Sequence, residues 1–312
     1  MSAPLVLITG AVTPDERAQL IGATPGLQLA FTERAGTDPD LLAVAEGLVG
    51  SPDAGELARA PRVRWVHSWA AGVDGIAAGG VLSEPIASGR VLLTAAKGSG
   101  AVPLAEHVLL LLLMLTRDVP RWLRAQEARH WDRYQHGELF GSRLGVIGSG
   151  RAGSELTARA AAFGMEVVQL RRGYDRAELE TLLTTSDAIA ITAPATRQTI
   201  GMLGDAEFAL CARNPYYVCV SRGGIADDGA LLRALRSGQL AGAGLDAHST
   251  EPLPEDSPFW GEPHVIVTPH NAATTRATRQ RGLDMLAHNL AVFASDGITG
   301  RFDGVVDPSA GY

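Results

Sequence analysis

Leu144-Gly145-Val146-Ile147-Gly148-Ser149-Gly150-Arg151-Ala152-Gly153 is the stretch on which the fold turns. An apolar run of strand length ends in glycines spaced GxGxxG, and the last of them opens an Ala-rich helical stretch, Gly153–Phe163. A second apolar strand, Val167–Leu170, ends about 20 residues after the first glycine. GxGxxG alone is weak in a chain with 36 glycines. Strand, glycine turn, helix and second strand in that order are what a dinucleotide-binding unit requires. Gly148 then permits the tight turn, Gly150 the close approach of a pyrophosphate, and Gly153 the contact between helix and strand. The helix start at Arg151 and Ala152 offers amide donors and a positive dipole to the phosphates.

Downstream the same alternation continues. Ala188–Thr192, Tyr217–Val220, Gly242–Leu245 and Val265–Thr268 are short continuous apolar runs, the pattern of parallel strands covered on both faces. Ala177–Leu183 and Asp228–Ser237 are helical between them. Upstream a separate βα series precedes the glycine turn. Its strands are Leu5–Ile8, Leu27–Phe31, Gly47–Val49, Val63–Ser68 and Val91–Leu93, and its helices Asp15–Ile21, Asp40–Ala45 and Ala54–Arg59. Pro103 to about Arg129 is one long helical pattern, read as the connector, and a last helix over Thr274–Ser295 returns to the first series.

The fold expected is therefore α/β, with two Rossmann-like or flavodoxin-like parallel-sheet domains and a cleft between them. The boundaries read from the sequence are 1–102 plus 283–312 for a substrate domain and 103–282 for a dinucleotide domain. At 312 residues the chain exceeds a comfortable single core, which agrees with two domains.

Composition narrows the function. A hydrophobic content of 46% with 20% charged residues is that of a globular protein. A net charge of −7 without a basic block gives no electrostatic reason for nucleic acid or an anionic membrane surface as partner. The apolar run Val108–Leu115 is far short of the ~20 residues a membrane span needs and reads as a buried helix. Met1–Gly10 lacks a basic leader followed by a long apolar core, so no signal peptide is read there. The two cysteines, Cys211 and Cys219, form no CxxC, and His130, His136 and His248 have no metal-ligand spacing. A cytoplasmic protein without a metal is expected.

At the end of the second strand of the glycine unit, where a carboxylate would bind a ribose 2′-hydroxyl, stand Arg171-Arg172-Gly173. Guanidinium groups pair with a 2′-phosphate through charge-assisted hydrogen bonds, so NADP is expected ahead of NAD, which remains possible because Asp175 follows closely.

With these motifs placed, the chain resembles the D-isomer-specific 2-hydroxyacid dehydrogenases, which include glyoxylate and hydroxypyruvate reductases. The resemblance rests on Trp65 to Asp74, Ala105-Glu106-His107, the glycine turn, Ser221-Arg222-Gly223-Gly224, Gly244-Leu245-Asp246, Glu251-Pro252 and Thr268-Pro269-His270, in that order. It implies that Arg222 binds a substrate carboxylate, that His270 donates a proton to the carbonyl oxygen, and that Glu251 hydrogen-bonds that imidazole. The chemistry agrees: hydride arrival at a ketone creates an alkoxide, and an imidazole paired with a carboxylate is a donor near neutral pH. The resemblance also implies cofactor contacts from Pro194, Thr199, Val220, Ser221 and Asp246, and substrate contacts from the backbone at Ala71 and Gly72. Trp69 in the same loop is a candidate wall for the substrate side chain. A homodimer through the Pro103–Arg129 helix and the neighbouring surface of the cofactor domain is implied as well.

The function expected is reduction of a small 2-ketoacid to the D-2-hydroxy acid. Cys219 stands where the family often has Asn, and Ala247-His248-Ser249-Thr250 replaces its usual Val and aromatic pair. Lys97, the only lysine in the chain, sits in Lys97-Gly98-Ser99-Gly100 and is expected to face the cleft. It keeps open a dianionic ketoacid such as phosphonopyruvate. Phosphite-oxidising members carry lysine where this chain has Ala71, which argues against that substrate. A non-catalytic, corepressor-like dinucleotide-binding module is the remaining alternative, and the intact Arg222, Glu251 and His270 argue against it.

Overall fold

The computed structural model describes residues 3–34, 38–73 and 83–307. In chain order the first elements are β1 (Leu5–Thr9), α1 (Pro14–Gly22), β2 (Gln28–Thr32), α2 (Pro39–Val44), β3 (Gly47–Val49), α3 (Ala54–Ala58), β4 (Trp65–Ser68), α4 (Ser83–Ala87) and β5 (Leu92–Ala95). Then come α5 (Ala101–Thr116), α6 (Val119–Glu127), β6 (Arg143–Ile147), α7 (Arg151–Ala162), β7 (Glu166–Leu170), α8 (Arg176–Thr185) and β8 (Ala188–Ile191). The last are α9 (Asp205–Phe208), β9 (Tyr216–Cys219), α10 (Asp228–Arg236), β10 (Gly242–Leu245), β11 (Val265–Val267) and α11 (Arg276–Asp296).

Two units result, Met1–Ser99 with Thr275–Tyr312, and Gly100–Thr274. The boundary expected at 282/283 would cut α11, whose 21 residues run unbroken. Its buried Leu283, Leu286, Leu290 and Phe293 share one stripe and pack on Val6, Ile8, Val49 and Trp65 of the first sheet. The crossing therefore lies before the helix.

In the first unit the strands are parallel in the order β2-β1-β3-β4-β5, the flavodoxin-like arrangement. Helix starts are encoded locally. Thr13 and Glu16 form a capping box at α1, and Asp53 and Glu56 do the same at α3. The segment after α11 returns to the β5 edge, where Val305 bridges Thr94 in antiparallel sense and Val306 donates its amide to Leu93 O at 2.9 Å. Buried Asn289 secures the return by bonding both the amide and the carbonyl of Asp303. An edge that would otherwise expose strand hydrogen bonds is thereby covered.

In the second unit six parallel strands run in the order β11-β10-β9-β8-β6-β7. Side chains alternate between the faces, as strand geometry dictates. Ala188 and Ala190 turn toward α5 and α7, whereas Ile189 and Ile191 turn toward the layer of α8, α9 and α10. Small residues on one face admit α5 closely: a Cβ at Gly244 would stand 2.9 Å from that of Leu111. The chain between β7 and β8 carries only α8, so β7 is the sheet's edge. Relative to the six-stranded order 3-2-1-4-5-6 of a doubly wound dinucleotide fold, no further strand lies outside β7 among the described residues.

The connector differs from its expectation. Pro103–Arg129 is not one helix but α5 and α6, broken at Arg117-Asp118, where Asp118 has φ 50°. Pro120 is the reason: in a continuous helix its ring would collide with the carbonyl of Thr116, whereas near a helix start it costs nothing. Carbonyls freed at the break are not left bare. Tyr134 Oη donates to Arg117 O at 2.5 Å and lies 3.1 Å from Asp118 O. Among the described residues no helix is long and apolar enough to cross a membrane, and no group of three or more His, Cys, Asp or Glu is placed to hold a metal ion.

Candidate active site

Each strand of the second sheet delivers a residue singled out from the sequence to the same edge. β6 ends in Gly148, β7 in Arg171, β8 leads to Pro194, β9 to Ser221 and Arg222, β10 to Asp246, and β11 to His270. In open α/β sheets the carboxyl ends are where ligands bind, at the point where the strand order reverses, here between β6 and β8.

At that point the glycine turn is built as its spacing requires. Gly148 has φ 125°, closed to residues with a Cβ, and its carbonyl accepts from Gln169 Nε2 at 3.1 Å and Thr192 Oγ1 at 3.2 Å. A Cβ at 153 would collide with the Gly148 carbonyl oxygen, while one at Gly150 would meet nothing within 4 Å. The α7 start has no side-chain cap and no acidic residue in its first turn, unlike the capped starts of α1, α3, α8 and α10. Amides and dipole at α7 are thus unspent, with open space at Gly150, and a pyrophosphate fits there. Thr199 Oγ1 donates to Pro194 O at 2.6 Å and orders the loop after β8.

Arg171 and Arg172 are exposed on a tight turn closed by the Tyr174 amide on Arg171 O at 3.2 Å, with Gly173 at φ 81°. Asp175, the carboxylate that kept NAD open, accepts the Glu178 amide at 2.9 Å and forms the capping box of α8. Its side chain caps a helix.

His270 and Glu251 meet. Nδ1 of His270 lies 2.7 Å from Oε2 and 2.9 Å from Oε1 of Glu251, with the two side chains 38% and 37% exposed, enough to be reached by a small molecule. Burial on its own would raise the Glu251 pKa, but the His248 amide and the His270 ring donate to the carboxylate and hold it below the usual range. Glu251 is therefore an anion at neutral pH. His270 has φ 50°, a left-handed conformation that a residue with a Cβ seldom adopts. What holds it there is Asp246, fully buried, whose carboxylate accepts the amides of Asn271 and Ala272 at 3.0 Å each and Thr268 Oγ1 at 2.6 Å. His107 of α5 completes this support, with Nε2 3.1 Å from Thr268 Oγ1, and burial lowers its pKa despite the nearby Asp246. Asp246, expected from the resemblance to contact the cofactor, is instead fully buried beneath the His270 loop, its carboxylate taken up by Thr268, Asn271 and Ala272. The role of His107 was missed from the sequence, although Ala105-Glu106-His107 was a quoted motif.

Arg222 follows β9, with Nη1 donating to Ser221 O at 2.6 Å. Gly223 is packed so closely on the His248–Ser249 peptide that a Cβ there would overlap it. Cys219 is buried and its Sγ donates to Arg222 O at 3.2 Å, so the thiol supports the arginine's backbone from below.

In the first unit, Trp69 donates Nε1 to Thr9 O at 2.9 Å, and the Arg279 guanidinium lies 4.4 Å over its ring. Ala71 and Gly72 follow it in the same loop at the carboxyl end of β4. Asp74 lies outside the described residues. Lys97 donates Nζ to Val305 O at 2.9 Å, tying β5 to the returning segment. Burial lowers its pKa, with Asp307 acting in the opposite sense.

A helix start free for phosphates, a glycine turn at the reversal of strand order, and an imidazole paired with a carboxylate on the same edge define a dinucleotide-dependent oxidoreductase. Comparison with known proteins agrees. Residues 109–272 match the family described as D-isomer specific 2-hydroxyacid dehydrogenase, NAD binding domain. The chain is 32% identical over 257 residues to a glyoxylate reductase of Korarchaeum cryptofilum, covering 77% of this chain and 76% of that protein. It is 33% identical over 235 residues to D-3-phosphoglycerate dehydrogenase of Bacillus subtilis, of which it spans 44%. Among solved structures, the NADPH-dependent glyoxylate/hydroxypyruvate reductase of Sinorhizobium meliloti, in complex with NADP and sulfate, superimposes with a TM-score of 0.81. It is 28% identical and covers 99% of this chain and 100% of that one. The chain belongs to the D-isomer specific 2-hydroxyacid dehydrogenase family.

Proposed function

We propose that this protein reduces small 2-ketoacids of the glyoxylate or hydroxypyruvate type to D-2-hydroxy acids with NADPH. The observation that carries the reading is the His270–Glu251 pair, 2.7 Å apart at the same sheet edge as Arg222 and the uncapped α7 start. When bound, the nicotinamide supplies a hydride. Everything else falls to the chain. Arg222 forks onto the substrate carboxylate and fixes the keto carbon for attack. His270, with Nδ1–H donated to anionic Glu251, presents Nε2–H to the carbonyl oxygen and transfers that proton as the alkoxide forms. The resemblance adds substrate contacts from the backbone at Ala71 and Gly72 and from Trp69. Gly148, Gly150, Arg151, Ala152 and Gly153 hold the pyrophosphate, while Pro194, Thr199, Val220 and Ser221 line the remaining dinucleotide.

Selection of NADP rests on Arg171 and Arg172 on their turn, together with the commitment of Asp175 to the α8 cap. The double variant Arg171→Asp with Arg172→Ala is expected to lower kcat/KM with NADPH by at least about tenfold and to leave NADH use unharmed or improved. Steady-state rates with both cofactors check this, and equal kcat/KM for the two in the wild type sinks it. A panel of glyoxylate, hydroxypyruvate, pyruvate, bulky ketoacids and phosphonopyruvate tests the substrate. Phosphonopyruvate drew on Lys97, whose ammonium is bonded to Val305 O, so no observation favours it. Exposed Leu110, Trp122, Leu123 and Trp131 on and after α5 and α6 support a homodimer through this surface.

A further inference from the structure

Glu251 and His270 come from separate loops, after β10 and after β11, and one residue touches both. The backbone amide of His248 donates to Glu251 Oε1 at 2.9 Å. Its ring Nε2 lies 3.1 Å from the carbonyl oxygen of Thr268, two residues before His270. A carbonyl only accepts, so Nε2 of His248 carries the proton. Thr268 is itself fixed by its amide on Leu245 O at 2.8 Å and its hydroxyl on Asp246. The same His248–Ser249 peptide is the surface on which Gly223 rests, beside Arg222, and Ser249 Oγ donates to Asp228 at 2.9 Å.

We propose that His248 is a positioning residue for the reaction: its ring and amide lock the Glu251 loop to the Thr268–His270 loop and so set the approach of the carboxylate to Nδ1. The inference rests on the function proposed above for its kinetic consequence, but its structural consequence does not.

Two variants test it. His248→Ala keeps the amide and removes the ring; His248→Gln restores a side-chain N–H that can reach a carbonyl. With NADPH and the best ketoacid, H248A is expected to lower kcat about tenfold, the effect of a displacement well under 1 Å in a reacting group, with KM and the NADPH Kd unchanged. H248Q is expected to recover most of the loss. In parallel, NMR of the ligand-free protein should show the His270 Nδ1–H resonance shifted upfield and exchanging faster in H248A, as the carboxylate partner loosens. Wild-type kcat with an unchanged His270 signal in H248A overturns the proposal, as does H248Q no better than H248A. Parallel losses of thermal midpoint and NADPH affinity would mark His248 as merely structural and overturn it too. If the wild type reduces no 2-ketoacid, the proposed function fails, while the NMR comparison still decides the role of His248.

Discussion

His270→Gln lowers kcat for ketoacid reduction by about three orders of magnitude, the span that a positioned general acid contributes, while the Kd for NADPH stays at the wild-type value. Gln can still donate to Glu251, so the loop keeps its hydrogen bond, but no side-chain group of Gln exchanges a proton near neutral pH. The distinction between lost chemistry and lost binding is therefore built into the variant. Pre-steady-state reduction, read as NADPH oxidation in a single turnover, gives the chemical step directly. Wild-type kcat in this variant rejects the mechanism. The pH dependence has a definite sign. Glu251 is held below the usual carboxylate range, so it is ionised across neutral pH, and its contribution to the pair is lost only as pH falls through that lowered value. The pairing of Glu251 with His270 is accordingly retained as pH rises through neutrality, and the support it gives to reduction is lost only on the acid side.

Arg222→Ala is the second large effect. It is expected to lower kcat/KM for glyoxylate by about a thousandfold, since it removes both the anchor for the carboxylate and the charge that polarises the adjacent carbonyl. Arg222→Lys should recover only a minor part, because an ammonium cannot make two parallel bonds to a carboxylate. Cofactor binding, measured by fluorescence titration with NADPH, should be unchanged in both. A variant whose loss appears entirely in the NADPH Kd would remove Arg222 from the substrate and assign it to the dinucleotide. Cys219 Sγ on the Arg222 carbonyl and the close packing of Gly223 on the His248–Ser249 peptide hold the backbone here when the guanidinium and its bond to Ser221 O are removed.

Legibility in the sequence followed locality. The glycine turn could be read because its demands, a φ of 125° at Gly148 and a collision at Gly153, arise within a few residues. The six strands of the second sheet were placed within a residue at each end because their apolar runs are short, continuous and bounded. The break between α5 and α6 was missed because Pro120 is compatible with either a helix start or a distortion, and apolar periodicity continues across it. Asp175 was weighed as a ribose ligand although Asp175 and Glu178 have capping-box spacing; the signal was present and was not used. Lys97 was expected at the cleft, and it bonds Val305 O, which lies 208 residues away in sequence, a contact no local pattern encodes. The ties made by His107 and His248 were hidden for the same reason. The first requires knowing that α5 packs beside the end of β11, and the second that the loops after β10 and β11 are neighbours.

The bond between Lys97 and Val305 gives this chain an unusual handle. With every other permanently cationic side chain an arginine, ε-amine chemistry in the protein has one address, and that amine is hydrogen-bonded to the returning segment. Acylation of that amine, followed by intact-mass spectrometry, becomes a clock for undocking of the returning segment from β5, free of the background that dozens of lysines create in an ordinary enzyme.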